Sequence, residues 1–303
     1  LNAVGDLMLE RDIITMMDEN GSVFPFAAVV DVLGDADVTI ANMEGTFTER
    51  GTQATKFYTF RTPPRHAMGL AQSGIDVVAL GNNHTMDYGT VGLEDTLMAL
   101  ANAGLPYSGA GVSAAEARKP VVLKANGLRL AFLSYNGVGE ATFAGETTAG
   151  VARANVAWVR EDVALALRAA DLVIVSLHDG TEYQDAPSAA QQAFARAAID
   201  AGAALVLGSH AHVFQGWQRY GDGVIVWGLG NFVFDLDYDD LATLGPRPFQ
   251  TAIVRFVLTK NGVESVEAIP VYIDPAENRP VIATGQQRGA IEERIERLNA
   301  AYR

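Results

Sequence analysis

The chain contains no cysteine, which removes disulfides, thiolate nucleophiles and thiolate metal sites, and leaves the redox compartment unreadable. Positive charge is also short: 22 Lys and Arg stand against 36 Asp and Glu, a net charge of −14. Nucleic acid and anionic membrane surfaces want a basic face, so no nucleic-acid partner is expected. No apolar run is long enough to cross a bilayer. Repeats, low-complexity tracts and linker-like stretches are missing as well, so one domain spanning 1–303 is the simplest organisation. The chain opens on Leu1-Asn2-Ala3-Val4, already strand-like and without a targeting segment, so removal of something upstream, an anchor or signal among the options, is expected. Histidine is scarce, with five in 303 residues.

What is present suits a folded α/β protein: 49% hydrophobic and 19% charged residues. Apolar spacing and breakers predict helical pieces at 9–20 and 23–34, strands at 37–42 and 75–80, and a polar loop over 45–62 between them. Helices are expected at 64–72, 90–103, 155–170 and 187–201, the last two followed by strands 171–177 and 203–208. Asn126-Gly127 between two apolar runs predicts a hairpin, since that pair accepts the left-handed angles of a tight turn. Past 213 the pattern turns strand-rich (215–220, 224–229, 250–259, 263–273) and reads as antiparallel, before a closing helix at 288–302. Helices between strands imply parallel pairing earlier on. Continuous apolar runs such as Leu172 to Val175 imply strands buried on both faces, hence two mixed sheets face to face with helices outside.

Six of the strand-like runs end in metal-binding residue types, and these take four of the five histidines. They are Val4-Gly5-Asp6, Ile40-Ala41-Asn42-Met43-Glu44, Leu80-Gly81-Asn82-Asn83-His84, Ser176-Leu177-His178, Gly208-Ser209-His210-Ala211-His212 and Gly228-Leu229-Gly230-Asn231. In layered α/β folds ligands bind outside the carboxyl ends of strands. Asp, Glu, Asn and His delivered there are the oxygen and nitrogen donors of a hydrolytic metal site. In His210-Ala211-His212 residues two apart would face one way if the segment is extended, aiming both imidazoles at one site. Arg61, in Phe60-Arg61-Thr62-Pro63-Pro64, is a candidate grip on a phosphate or carboxylate, or an arginine solvated at a loop edge.

The order Asp…Glu…Asn-His…His…His-x-His resembles the calcineurin-like metallophosphatases. It is most similar to the branch named for the poly-γ-glutamate capsule protein CapA, through Gly5-Asp6-Leu7-Met8-Leu9, Gly81-Asn82-Asn83-His84-Thr85-Met86-Asp87-Tyr88-Gly89 and Leu229-Gly230-Asn231-Phe232 among other segments. The resemblance covers about the first 235 residues. It implies a four-layer αββα sandwich and one or two divalent ions, Mn, Zn or Fe. Carried over, Glu44 would bridge, Asp6 and His212 would hold one ion, and Asn83, His178 and His210 the other. His84 would be the general acid. Asn42, Arg61, Glu182 and Asn231 would contact substrate or support the site, or be structural. The implied substrate is an anionic small molecule or polymer, poly-γ-glutamate among them, with a membrane-bound capsule synthase as partner and the cell envelope or extracellular side as location. The alternative is a non-catalytic component that binds the polymer or its synthase and keeps a relict metal. Two departures stand out: Met8, whose thioether is a poor ligand for Mn or Fe and a weak one for Zn, occupies a position where the wider superfamily has histidine, and Asp179 follows His178 where the branch usually has Trp. Asp179 could bind metal, orient His178 or repel an anion.

Overall fold

The computed structural model describes residues 1–139 and 143–302. Two mixed sheets lie face to face with helices on both outer sides, the four-layer sandwich that the patterning and the resemblance imply. In the first sheet the parallel strands Asn2–Leu7, Thr39–Met43, Val77–Ala79 and Tyr107–Ser108 run side by side. The antiparallel strands Gln250–Thr259, Gly262–Asp274 and Arg279–Ile282 extend it beyond Asn2–Leu7. In the second, Leu128–Asn136, Leu172–His178, Leu205–Ser209 and Gly223–Leu229 are parallel, with antiparallel edges Val121–Ala125 and Phe214–Tyr220.

Alternation along the strands divides the core. Leu130, Phe132, Leu172, Ile174, Leu205 and Leu207 of the second sheet meet Ala3, Ile40, Val77 and Val254 of the first, forming the inner layer. Their neighbours Leu133, Val173, Val175 and Val206 face outward and pack on Val159, Val163, Phe194 and Ala198 of helices Val156–Ala166 and Ala189–Asp200. On the far side Val4, Leu7, Ala41 and Val78 pack on Ile13, Met17, Leu70, Leu93 and Leu100. Strands covered on both faces read as unbroken apolar runs, and these do. Helix Gly285–Ala300 closes one flank through Ile291, Ile295 and Leu298.

Three local expectations change. The last third is not wholly antiparallel: Gly223–Leu229 pairs parallel with Leu205–Ser209, and Asn231–Val233 pairs parallel with Asn2–Leu7. The hairpin strand Phe214–Tyr220 takes the sheet edge, so its mate faces inward. The first helix begins only at Asp12, after Arg11 in a left-handed conformation (φ 58°, ψ −128°). The loop over 45–62 contains a two-residue parallel pair, Thr46–Phe47 with Arg61–Thr62. Parallel strands point their carboxyl ends the same way, which brings Asp6, Asn42 and Glu44 beside His178 and Ser209 at one end of the sandwich.

Candidate metal centre

Glu44 lies at the middle of the assembly, fully buried, and neither of its carboxylate oxygens has a hydrogen-bond partner among the described residues. His178 Nε2 and His84 Nε2 each stand 3.7 Å from Glu44 Oε1, and His212 Nε2 stands 3.9 Å from it. Donor atoms of Glu44, His210 and His212 fall within 4.8 Å of one another, as do those of Asp6, Glu44 and His178. Two triads therefore share one carboxylate. Grouping by distance cuts across the division that the resemblance implies, since Asp6 falls with His178 and His210 with His212.

Each donor is held by neighbours. Asn42 Nδ2 donates to Asp6 Oδ1 (2.9 Å) and the His210 N–H to Asp6 Oδ2 (3.2 Å). His178 keeps Nδ1 at 3.0 Å from Ser209 Oγ and turns Nε2 to Asn83 Oδ1 at 2.8 Å. His212 Nδ1 sits 2.9 Å from Asn231 Oδ1, and Asn231 donates in return to the His212 and Pro248 carbonyls. Such outer partners fix ring orientation and tautomer. Asn82 ties the strands together by donating to Asn42 Oδ1 (3.1 Å) and Met43 O (2.8 Å).

His210 and His212 do not converge by strand alternation. The strand stops at Ser209, and both histidines take positive φ (84° and 55°). Side chains other than glycine rarely persist there unless their surroundings hold them, and such strain gathers at functional sites. Gly5 and Gly208 allow the strands to close this tightly: a Cβ on either would sit 1.9 Å from the Gly230 or Trp227 carbonyl oxygen.

Burial dominates the electrostatics. It raises the Glu44 carboxyl well above its usual range, with Asp6 and Glu182 pushing the same way, and it raises Asp6 despite His212. It lowers His178 well below the ordinary imidazole value and His210 to about 3, so both rings are neutral donors. Buried carboxylates without a cation are costly. The unpartnered Glu44 oxygens, the unpartnered His210 Nδ1 and the nitrogen–oxygen donor set all fit divalent ions.

His84 is placed differently. Its Nδ1 lies 2.7 Å from Asp87 Oδ2 and 3.2 Å from Lys56 Nζ, and its ring stacks on Phe60 at 4.1 Å. Lys56 also pairs with Asp87 and donates to Asn83 O (2.8 Å). Burial lowers the His84 pKa, with Asp87 opposing. The sequence offered no sign of Lys56, and Ser209 and Asp87 stood in quoted motifs without a role.

Of the other residues singled out from sequence, Asn42 and Asn231 hold ligand-type side chains, while Glu182 is exposed yet close enough to act on Glu44. Arg61 lies outside the cluster, its guanidinium 5.0 Å from the Tyr88 ring centre. Asp179 turns away: its carboxylate packs against Gly137 and accepts from the Gly180 N–H at 2.7 Å. Met8 is fully buried, and its N–H donates to Val233 O.

Residues 1–236 match the family described as bacterial capsule synthesis protein PGA_cap. The chain belongs to that family. Against the PGA biosynthesis protein CapA of Bacillus subtilis strain 168, this PGA_cap chain is 32% identical over 305 residues, 99% of itself and 78% of that protein. Against the capsule biosynthesis protein CapA of Bacillus anthracis it is 30% identical, over 93% of itself and 69% of that protein. Among solved structures, a hypothetical protein from Thermus thermophilus superimposes with a TM-score of 0.53 at 16% identity, over 89% of this chain and 97% of that one. A putative 5′-nucleotidase from Staphylococcus aureus, solved with α-ketoglutarate, gives 0.52 at 14% identity. That alignment takes in 91% of this chain but 52% of the nucleotidase, about half its length. Identities this low speak for fold, here the calcineurin-like metallophosphatase sandwich.

Proposed function

We propose that this PGA_cap chain is a metal-dependent hydrolase, built as one domain, that acts on a phosphoester or related anionic linkage during poly-γ-glutamate capsule synthesis or export at the cell envelope. The observation carrying this reading is Glu44: a fully buried carboxylate with two unpartnered oxygens, common to two triads of donors. Asp6, Glu44, Asn83, His178, His210 and His212 would hold one or two divalent ions. Bound there, Mn, Zn or Fe would supply Lewis-acid stabilisation of developing negative charge and a water acidic enough to react near neutral pH.

The chain's own residues supply orientation and proton transfer. Ser209 and Asn231 hold His178 and His212 by Nδ1, so that Nε2 of each points to Glu44. Asp87 holds His84 by Nδ1, leaving Nε2 toward the centre. A protonated His84 can give the Nε2 proton to the leaving-group oxygen and return to neutral imidazole, while Phe60 covers the ring. Asp87 and Lys56 keep the ring in that pose. A structural metal site needs no such positioned donor, and this favours the enzyme over a non-catalytic polymer- or synthase-binding component.

The test is metal analysis of purified protein with a screen over phosphomonoesters, phosphodiesters and γ-glutamyl peptides. His84→Ala should keep its metal and lose roughly a hundredfold in turnover, the usual weight of a positioned proton donor. That loss should shrink for nitrophenolate esters, whose leaving group needs no proton. His210→Ala should lose metal and activity together. If metal-replete wild type turns over no ester or amide, the binding-component reading replaces this one.

A further inference from the structure

The turn that follows His178 holds a tyrosine in a strained conformation. The Gln184 N–H donates to Thr181 O (3.3 Å), closing a four-residue turn, and Tyr183 takes its third place with φ at 59°. A positive φ there favours glycine or asparagine, and a bulky side chain in that region persists only where its surroundings hold it. Two hydrogen bonds do so. The Tyr183 N–H donates to Ala211 O (2.8 Å), and Gln215 Nε2 donates to Gln184 O (2.8 Å). Ala211 stands between His210 and His212, so Tyr183 is pinned to the loop that carries two of the candidate metal ligands.

Core packing does not explain the ring, which is only half-buried. Its centre lies 6.1 Å from that of the His212 ring, and its hydroxyl has no hydrogen-bond partner among the described residues. Burial pushes that hydroxyl up to about 12, and Glu182, Asp240, Tyr58 and Glu44 push the same way. The phenol therefore keeps its proton at neutral pH and stands near enough to the central carboxylate to feel its charge. It is a donor with no acceptor around it. Glu182, beside it in the same turn, is exposed and acts on Glu44 through its charge. An ionised carboxylate only accepts hydrogen bonds, and it repels an anion, so the phenol is what this turn can offer an anionic ligand.

We propose that Tyr183 is a substrate-contacting residue, whose O–H donates a hydrogen bond to a non-bridging oxygen of a phosphoryl group at the metal centre. The inference rests on the hydrolase reading above and narrows it to an anion that keeps a free oxygen beside His212. Position separates the two donors. His84 follows a strand of the first sheet and serves the leaving-group oxygen; Tyr183 follows a strand of the second and serves an oxygen that stays on phosphorus. Charge on such an oxygen is what a fixed, neutral donor stabilises in a site closed to water.

The test is Tyr183→Phe, which keeps the ring and removes the donor. Metal content and melting temperature should match wild type. Turnover should fall roughly ten- to hundredfold, the worth of a hydrogen bond to a charged oxygen, and by the same factor for nitrophenolate and alkyl esters. His84→Ala differs here, since its loss shrinks with a good leaving group. Calorimetric titration of the metal-loaded protein with inorganic phosphate should show binding about tenfold weaker in Tyr183→Phe. Tyr107→Phe, the same change on the edge strand of the first sheet, should match wild type in both assays. The proposal is overturned if Tyr183→Phe turns over esters and binds phosphate as wild type does, if its loss shrinks with a good leaving group, or if it loses metal. Wild type that binds phosphate but turns over nothing ends the hydrolase reading alone, and the phosphate titration then decides for or against the contact. Wild type that does neither ends both.

Discussion

Asp235 pairs with Arg11 (3.9 Å) and accepts a hydrogen bond from Asn278 (2.7 Å). Burial raises its carboxyl to about 6 from the usual 3.8; Asp12, Asp240 and Asp237 push the same way, and Arg11 opposes. The folded state thus favours the protonated acid. Its contribution to stability is fully present below about pH 3.8 and is lost as pH rises through 6. Asp235→Asn should therefore stabilise the protein at pH 7.5 by about 1 kcal/mol, discounted for solvent screening, and do nothing at pH 3.5. Urea denaturation at the two pH values reads the difference, and equal shifts at both would refute it. At this scale the sequence showed the donors, because carboxylates, asparagine and histidines at strand ends are visible as residue types. What holds them was hidden. Ser209 ends a buried strand, but its partner His178 comes from the neighbouring strand, and Lys56 reaches His84 from a loop whose local pattern is that of a solvated residue. His210-Ala211-His212 was legible as a pair, but alternation was the wrong reason for its convergence.

Secondary-structure elements show the same division. The Asn126-Gly127 hairpin was readable because its turn chemistry is local, and both residues take positive φ (45° and 81°). The runs buried on both faces were readable from continuous hydrophobicity. The parallel pairings of Gly223–Leu229 and Asn231–Val233 were not, because the partner of a strand is set by crossover and core, not by its own sequence. Two glycines make the distinction measurable. Gly208 in Leu205–Ser209 meets the Trp227 carbonyl oxygen at once, whereas a Cβ on Gly289, inside helix Gly285–Ala300, would meet nothing within 4 Å. Gly208→Ala should cost about 3 kcal/mol, because backbone must shift where two strands touch. Gly289→Ala should stabilise by about 0.5–1 kcal/mol, the ordinary helix preference. Thermal melts of both variants check this, and a mild effect at Gly208 would mean that the strands are less tightly joined.

Across the whole molecule, the donors come from opposite halves of the sandwich. Asp6, Glu44 and Asn83 lie in or just after strands of one sheet, and His178, His210 and His212 in or just after strands of the other. Ions held between them should raise the melting temperature by roughly 5–10 °C at a thousandfold excess over Kd, and chelator should reverse the rise. The sequence showed this layered order in outline, because alternating helices and strands allow few arrangements; it did not show that both sheets would contribute to one carboxylate. On the proposed reading, such ions would give a chain without a single cysteine a removable cross-link between residues some two hundred positions apart. Such a clasp can close only after both sheets have formed and docked, so it belongs to the end of folding. Chelator present during refolding should leave the folding rate nearly unchanged, whereas chelator added to the native protein should hasten unfolding by tenfold or more. Stopped-flow traces with and without chelator would show the two limbs parting, and the protein's persistence would then be governed by how much metal its surroundings supply.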